Sequence, residues 1–428
     1  MTDNPSKPVE AHERLPVLDV LRGFALGGVF VANAAVFFSG QVFLGKEQVA
    51  ERMASPVDAV ASRVFEFLVA GKAMAIFSFL FGVGFGIQLL RAEERGASMV
   101  PLYVRRLGIL LLLGLTHLFA LWFGDILVVY ALVGFGLLLL RERSEKSMLA
   151  LALVLILAVP LLVFALAYFL PRWVYSPEVA EAAMKASQER IVAIKARTLE
   201  AFAGGSYLDV VKANANYYFK AFLKPVMVGW VSVTLGRFLL GLLAARRGLF
   251  HDVSRHRGFF RRLLGWGLVA GVVGNGAMVL VRYLMGQELL PERSGWYVLL
   301  TLARELGHGG LAAFYVAAIA LLLQRPLGRR LLSVLAPAGR MALTNYLTQT
   351  VVGVSLFYGY GLGLIGRLGP ARCLALITGL FCVQVLLSHL WLAYFRYGPA
   401  EWLWRSLTYL RWQPLRIRGA ALPAAEAA

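Results

Sequence analysis

Two ionisable residues, His117 and Asp125, stand in a stretch otherwise fit for hydrocarbon, LGILLLLGLTHLFALWFGDILVVYALVGFGLLLL from Leu107 to Leu140. A histidine exchanges its proton near neutral pH, and a carboxylate beside it orients the ring and stabilises its charged form. Together they are the parts of a general base. A carboxylate at membrane depth costs about 3 kcal/mol or more unless paired or wetted, so Asp125 marks a partner or a water-filled cavity. His117 also has a plain reading, a core histidine donating to a carbonyl. The two lie eight residues apart, about 12 Å along an ideal helix, so direct contact requires the chain to fold back at Gly124. Otherwise Glu305 is the substitute partner.

Other polar residues stand inside or at the ends of apolar runs. Arg304-Glu305-Leu306-Gly307-His308-Gly309-Gly310 combines three ionisable side chains with three glycines, a composition that lines sites at membrane depth rather than facing lipid. Asn33 and Lys72 are, with Arg304, candidate donors to a developing oxyanion. Their plain readings are interhelical glue for Asn33 and a snorkelling anchor for Lys72. Asp19 and Arg22 lie three apart on one helix face, as an interfacial ion pair or a phosphate contact. Arg105 and Arg106 stand at the start of the apolar run that leads to His117, as phosphate ligands or lipid anchors. Asn345, with Thr344 and Gln349, reads as packing glue or a polar passage. No G-x-S-x-G elbow competes with the histidine reading.

The elements that must position these residues are membrane helices. With 59% hydrophobic and 16% charged residues, the chain reads as an all-α, polytopic helical membrane protein rather than a soluble enzyme. Ten spans are expected at about 18 to 40, 73 to 90, 104 to 123, 126 to 140, 148 to 170, 225 to 244, 263 to 284, 297 to 323, 341 to 362 and 373 to 395. The two arms of the central hairpin are short against a bilayer core of about 30 Å, which puts their Trp-Phe-Gly-Asp tip below the membrane surface. The net charge of +19 sits in short loops between spans. That pattern fits anionic head groups rather than nucleic acid, and by the positive-inside rule places both termini in the cytoplasm. Residues 1–15 read as a cytoplasmic tail before a retained first span, 16–413 as one transmembrane domain and 414–428 as a disordered tail. Within the domain, 171–224 is expected outside the membrane, with a surface helix ended by Gly204-Gly205. Cys373 and Cys382 are too far apart on one helix to bridge, and no zinc-type Cys/His spacing occurs, so neither a disulfide nor a metal is expected.

The motifs LDVLRGFALGGVFVAN, GKAMAIFSFLFGVGFG, HLFALWFGDILVVYALVG, GRMALTNYLTQT, FYGYGLGL and FRYGPAEWLWRSLTY occur in order between about Arg14 and Pro414. Together they resemble the DUF418, YeiB-like bacterial inner-membrane proteins, a family grouped with the transmembrane acyltransferases that include heparan-glucosaminide N-acetyltransferase. The resemblance implies transfer of an acyl group from cytoplasmic acyl-CoA, acetyl-CoA in the simplest case, to a sugar, glycan or small-metabolite acceptor across the membrane. It also leaves room for a homodimer. Asp19, Arg22 and Gly23 match the opening signature and Asn33 the asparagine that follows it. Lys72, His117, Asp125, Arg304, Glu305 and Asn345 match the YeiB-like pattern, and His308 lies outside it. The heparan enzyme's histidine lies in the loop after its first span, whereas residues 41 to 71 contain none; the resemblance then implies a base taken over by His117, with His308 as the alternative. The rival classes are a small-solute or proton-coupled transporter, in which the same polar residues form a pathway, and a non-catalytic scaffold.

Overall fold

In hydrocarbon a backbone can satisfy its N–H and C=O groups only within a helix or a closed barrel, and here each long apolar run becomes a helix. The computed structural model describes residues 15–96, 98–223, 225–284 and 296–417. The tail before Leu15 and most of the expected C-terminal tail lie outside the described residues. In chain order the helices are α1 (Pro16–Asn33), α2 (Lys46–Arg52), α3 (Pro56–Leu68), α4 (Lys72–Glu94), α5 (Val100–Ala120), α6 (Leu127–Leu140), α7 (Glu145–Leu153), α8 (Val159–Val174) and α9 (Pro177–Gly204). They continue with α10 (Tyr207–Tyr217), α11 (Pro225–Arg246), α12 (Arg257–Leu284), α13 (Trp296–Leu322), α14 (Pro326–Leu332), α15 (Ala336–Arg340), α16 (Ala342–Phe357), α17 (Pro370–Tyr394) and α18 (Pro399–Tyr409). A π-helical turn at Ala34–Phe38 prolongs α1, and another at Val154–Ala158 joins α7 to α8 into one rod.

Helices occupy all ten expected positions, and among the described residues eight are long and apolar enough to cross a membrane. The two that fall short are α6, with 14 residues, and α16, with 16, about 21 and 24 Å long at 1.5 Å per residue. His117 and Asp125 meet at the turn between α5 and α6, and Thr350 reaches the histidine from the middle of α16. Helices α2 and α3, in the loop after the first span, were not anticipated. Helix α3 buries no residue, and its apolar stripe of Val57, Val60, Val64 and Leu68 is exposed.

Close packing rests on glycine. A Cβ at Gly82 on α4 would collide with the backbone carbonyl of Phe238 on α11, and one at Gly241 with that of Phe79. Helices α12 and α13 approach in the same way, through Gly271 and Gly274 on one side and Gly307 and Gly310 on the other. The glycines of the Arg304 to Gly310 motif therefore do not break the membrane helix. Helix α13 is continuous, and Gly307 and Gly310 let α12 lie against it. The predicted surface helix is α9, capped by the Ser176 hydroxyl, which accepts from the Val179 N–H at 3.4 Å. Its last turns are not merely solvated, because Ile194, Thr198 and Phe202 are buried. Phe202 stacks on Tyr358 at 4.4 Å in an aromatic cluster that also holds Trp122 and Phe123.

Candidate active site

His117 lies in the last turn of α5, where the chain leaves the helix: the backbone N–H groups of Leu121 and Trp122 both donate to its carbonyl at 3.0 Å. The turn then reverses, and Asp125 caps α6 by accepting from the Val128 N–H at 2.7 Å through Oδ1. That cap leaves Oδ2 facing back along α5, 2.7 Å from His117 Nδ1. On the other edge of the ring, Nε2 is 2.9 Å from Thr350 Oγ1 on α16. The His117 and Asp125 side chains are 1% and 0% exposed. An ionised Asp125 accepts hydrogen bonds only, which keeps the ring proton on Nδ1 and makes Nε2 the acceptor of the Thr350 hydroxyl. The result is a carboxylate, an imidazole and a hydroxyl in series.

Two aromatic side chains flank the imidazole. The Tyr346 ring centroid is 5.2 Å away, and its hydroxyl accepts from the Ile126 N–H at 3.3 Å, leaving its own proton to donate elsewhere. Trp122 stands at 6.5 Å, nearly perpendicular to the ring, and its buried indole N–H has no hydrogen-bond partner among the described residues.

A cavity of about 400 Å³ runs from the basic end of the molecule to Ile126 and Tyr346, the neighbours of this group, and His117, Asp125 and Thr350 stand behind its lining. Along α4 and its C-terminal cap its lining runs from Phe77 to Arg95, about 27 Å. Tyr130, Ile126 and Tyr346 line it at the depth of the histidine, whereas Arg22, Arg91, Arg95 and Arg106 surround its other end with Arg340, Arg396 and Arg405. Asp19 and Glu401 are the acidic residues among them. Asp19 pairs with Arg22 at 2.9 Å, and the Arg22 side chain stays 32% exposed. Arg106 lies over the Trp404 ring at 4.0 Å and donates to Gln88 Oε1 at 3.2 Å. Glu401 accepts from the backbone N–H groups of Leu343 and Thr344 at 2.6 and 3.2 Å, and from the Thr344 hydroxyl at 2.5 Å. It thereby ties α18 to the start of the helix that carries Tyr346 and Thr350. Burial pushes the Glu401 carboxyl above the usual carboxylate range, partly offset by the Thr344 hydroxyl.

Other expected site residues lie elsewhere. Glu305 pairs not with His117 but with Arg237 at 3.0 Å and with Arg304 at 3.2 Å, a separate cluster that is not part of the cavity lining. Lys72 is fully buried rather than snorkelling: it donates to the Glu66 carbonyl at 2.7 Å and to Asn275 Oδ1 at 2.8 Å. His308 packs against Gly71, whose left-handed backbone (φ +78°) starts α4, and a Cβ there would overlap the ring. Asn33 is buried at the end of α1. No described hydrogen bond joins it to His117 or Asp125. Arg105 donates to the Thr408 carbonyl at 3.1 Å and is not in the cavity lining. Asn345 binds the Ala338 carbonyl at 3.1 Å and Ser388 Oγ at 3.0 Å, the contacts of interhelical glue. Among the described residues no cluster of His, Cys, Asp and Glu could hold a metal ion.

Residues that sequence reasoning missed are Thr350, Tyr346, Arg237, Asn275 and Glu401. For the first two a local signal existed, since Tyr346 and Thr350 stand four apart on one helix face within GRMALTNYLTQT. The others are ordinary until their partners arrive from distant helices.

Fold and site define a polytopic helical membrane protein that holds a buried hydroxyl–imidazole–carboxylate chain beneath a deep basic cavity. The family described as "Protein of unknown function (DUF418)" matches residues 244–411. The chain is 37% identical over 423 residues to "Uncharacterized protein YxaH" of Bacillus subtilis (strain 168), covering 96% of this chain and 98% of that one. It is 29% identical over 416 residues to "Uncharacterized protein YeiB" of Escherichia coli (strain K12), covering 96% and 98%. The chain belongs to the DUF418, YeiB-like family. No solved structure matches it.

Proposed function

We propose that this protein is a membrane-embedded acyltransferase, which moves an acyl group from cytoplasmic acyl-CoA to an acceptor on the far side of a bacterial cytoplasmic membrane. The observation that carries this reading is the cavity, whose arginine-rich end leads toward a buried His117–Asp125 pair. By the positive-inside rule the arginine-rich end faces the cytoplasm. Arginines bind phosphates through forked, charge-assisted hydrogen bonds, so the nucleotide phosphates sit at Arg22 and its neighbours while the thioester arm extends toward Tyr346. His117 is the base and Asp125 holds its tautomer and steadies the imidazolium. The acyl carbon passes from sulfur to the acceptor's oxygen or nitrogen, the acceptor loses a proton and CoA leaves as the thiol.

The test is acceptor-dependent release of CoA by purified protein given labelled acetyl-CoA and candidate sugar acceptors. His117→Ala should stay inserted and monodisperse while losing turnover by about 100-fold or more, the usual weight of a general base. Parental turnover by that variant would overturn the reading.

A further inference from the structure

In the geometry described above, the basic nitrogen of His117 does not face open space. Nε2 is occupied by Thr350 Oγ1 at 2.9 Å, and His117 and Thr350 are both closed to solvent. That hydroxyl also reaches the Tyr346 carbonyl, at 3.5 Å, and the imidazole nitrogen is the nearer of its two partners. From the acyltransferase reading, on which this rests, we infer that Thr350 is a nucleophile that receives the acyl group from acyl-CoA and holds it as an ester before it passes to the acceptor.

Three observations carry this. A hydroxyl, an imidazole and a carboxylate in series at 2.9 and 2.7 Å are the arrangement that activates a weak hydroxyl nucleophile. Thr350 stands four residues beyond Tyr346, which lines the deep part of the cavity. That is about 6 Å further along the helix axis, so the hydroxyl lies next to the point the cavity reaches. On the cavity side, the Tyr346 hydroxyl accepts from the Ile126 N–H and keeps its own proton for a developing oxyanion.

In the first half-reaction Thr350 Oγ1 attacks the thioester carbonyl and its proton passes to His117 Nε2. The C–S bond breaks, and the imidazolium returns that proton to the departing thiolate. In the second, the acceptor hydroxyl or amine gives its proton to Nε2 and attacks the ester carbonyl. The C–Oγ1 bond breaks and Thr350 regains its proton. Splitting the transfer at Thr350 lets donor and acceptor approach from opposite sides without meeting.

The experiment uses the full chain in detergent. It is incubated with labelled acetyl-CoA without acceptor, quenched in acid and digested, and the acetylated peptide is located by mass spectrometry. The expected label is one acetyl group on Thr350, as an ester that survives conditions in which an acylimidazole hydrolyses. Thr350→Val, nearly the same shape, should abolish the label and lower turnover by about 100-fold or more, while Thr350→Ser should restore both. Parental turnover by Thr350→Val, or a turning-over parent whose label is absent or sits on His117, overturns the role of Thr350 and leaves the acyltransferase reading standing. A parent that neither takes label nor releases CoA with any acceptor removes both.

Discussion

His117 is closed to water yet fully bonded, with Asp125 at one ring nitrogen and Thr350 at the other. Burial of this kind is costly for each group alone, and it persists because every partner is supplied. The contributions of the pair should therefore be unequal on removal. Asp125→Asn keeps the shape and the bond to the Val128 N–H but loses the charge that holds the histidine tautomer. Its turnover should fall, though by less than in His117→Ala, when CoA release is compared at matched protein concentration. At the other end of the cavity, Arg22 is partly exposed and pairs along its own helix with Asp19. Arg22→Ala should leave thermal stability near the parent value and weaken CoA binding by about tenfold or more, the worth of a charge-assisted hydrogen bond. Equal affinities by calorimetry would remove Arg22 from the donor site.

At the scale of elements, α6 and α16 are the short helices of the bundle, and their ends set the site. Asp125 caps α6 while bonding His117, so helix formation and ring orientation are one event. Glu401 does the equivalent for α16, taking three hydrogen bonds at its first turn. Glu401→Ala leaves those donors without a partner, and each buried donor so orphaned costs about 1–3 kcal/mol. Both the unfolding temperature and acyl transfer should fall. Because burial favours the protonated form of this carboxyl, Glu401→Gln should retain most of each. If Glu401→Ala matched the parent in a thermal melt followed by activity, the strap between α18 and α16 would carry no weight.

The whole molecule is a bundle with a basic end, where the cavity opens, and an opposite end roofed by α9 and its aromatic cluster. The orientation follows from charge. Single cysteines at Ser144 and Arg257 should react with an impermeant reagent only after permeabilisation, and one at Ser187 should react in intact cells, with the exposed Cys382 first replaced by serine. Labelling of Arg257→Cys in intact cells would invert or break this topology.

Much of this architecture is written locally in the chain. Apolar runs must become helices in hydrocarbon whatever lies beside them, so the positions of the membrane helices and the helix at 177–204 are readable from composition and spacing. The family is readable as well, because its motifs are short and occur in order. His117 and Asp125 stand out for the same local reason, two ionisable groups in an apolar run. One reversing turn joins them locally. What completes the site is not local, since Thr350 comes from 233 positions away. Lys72 meets Asn275 across 203 positions and Glu305 meets Arg237 across 68. Which polar groups meet is decided by how closely helices approach, and that depends on glycines such as Gly274 and Gly307, whose value lies in a neighbour the sequence does not name. Tertiary packing alone set Glu305 apart from the histidine and gave the imidazole a hydroxyl instead.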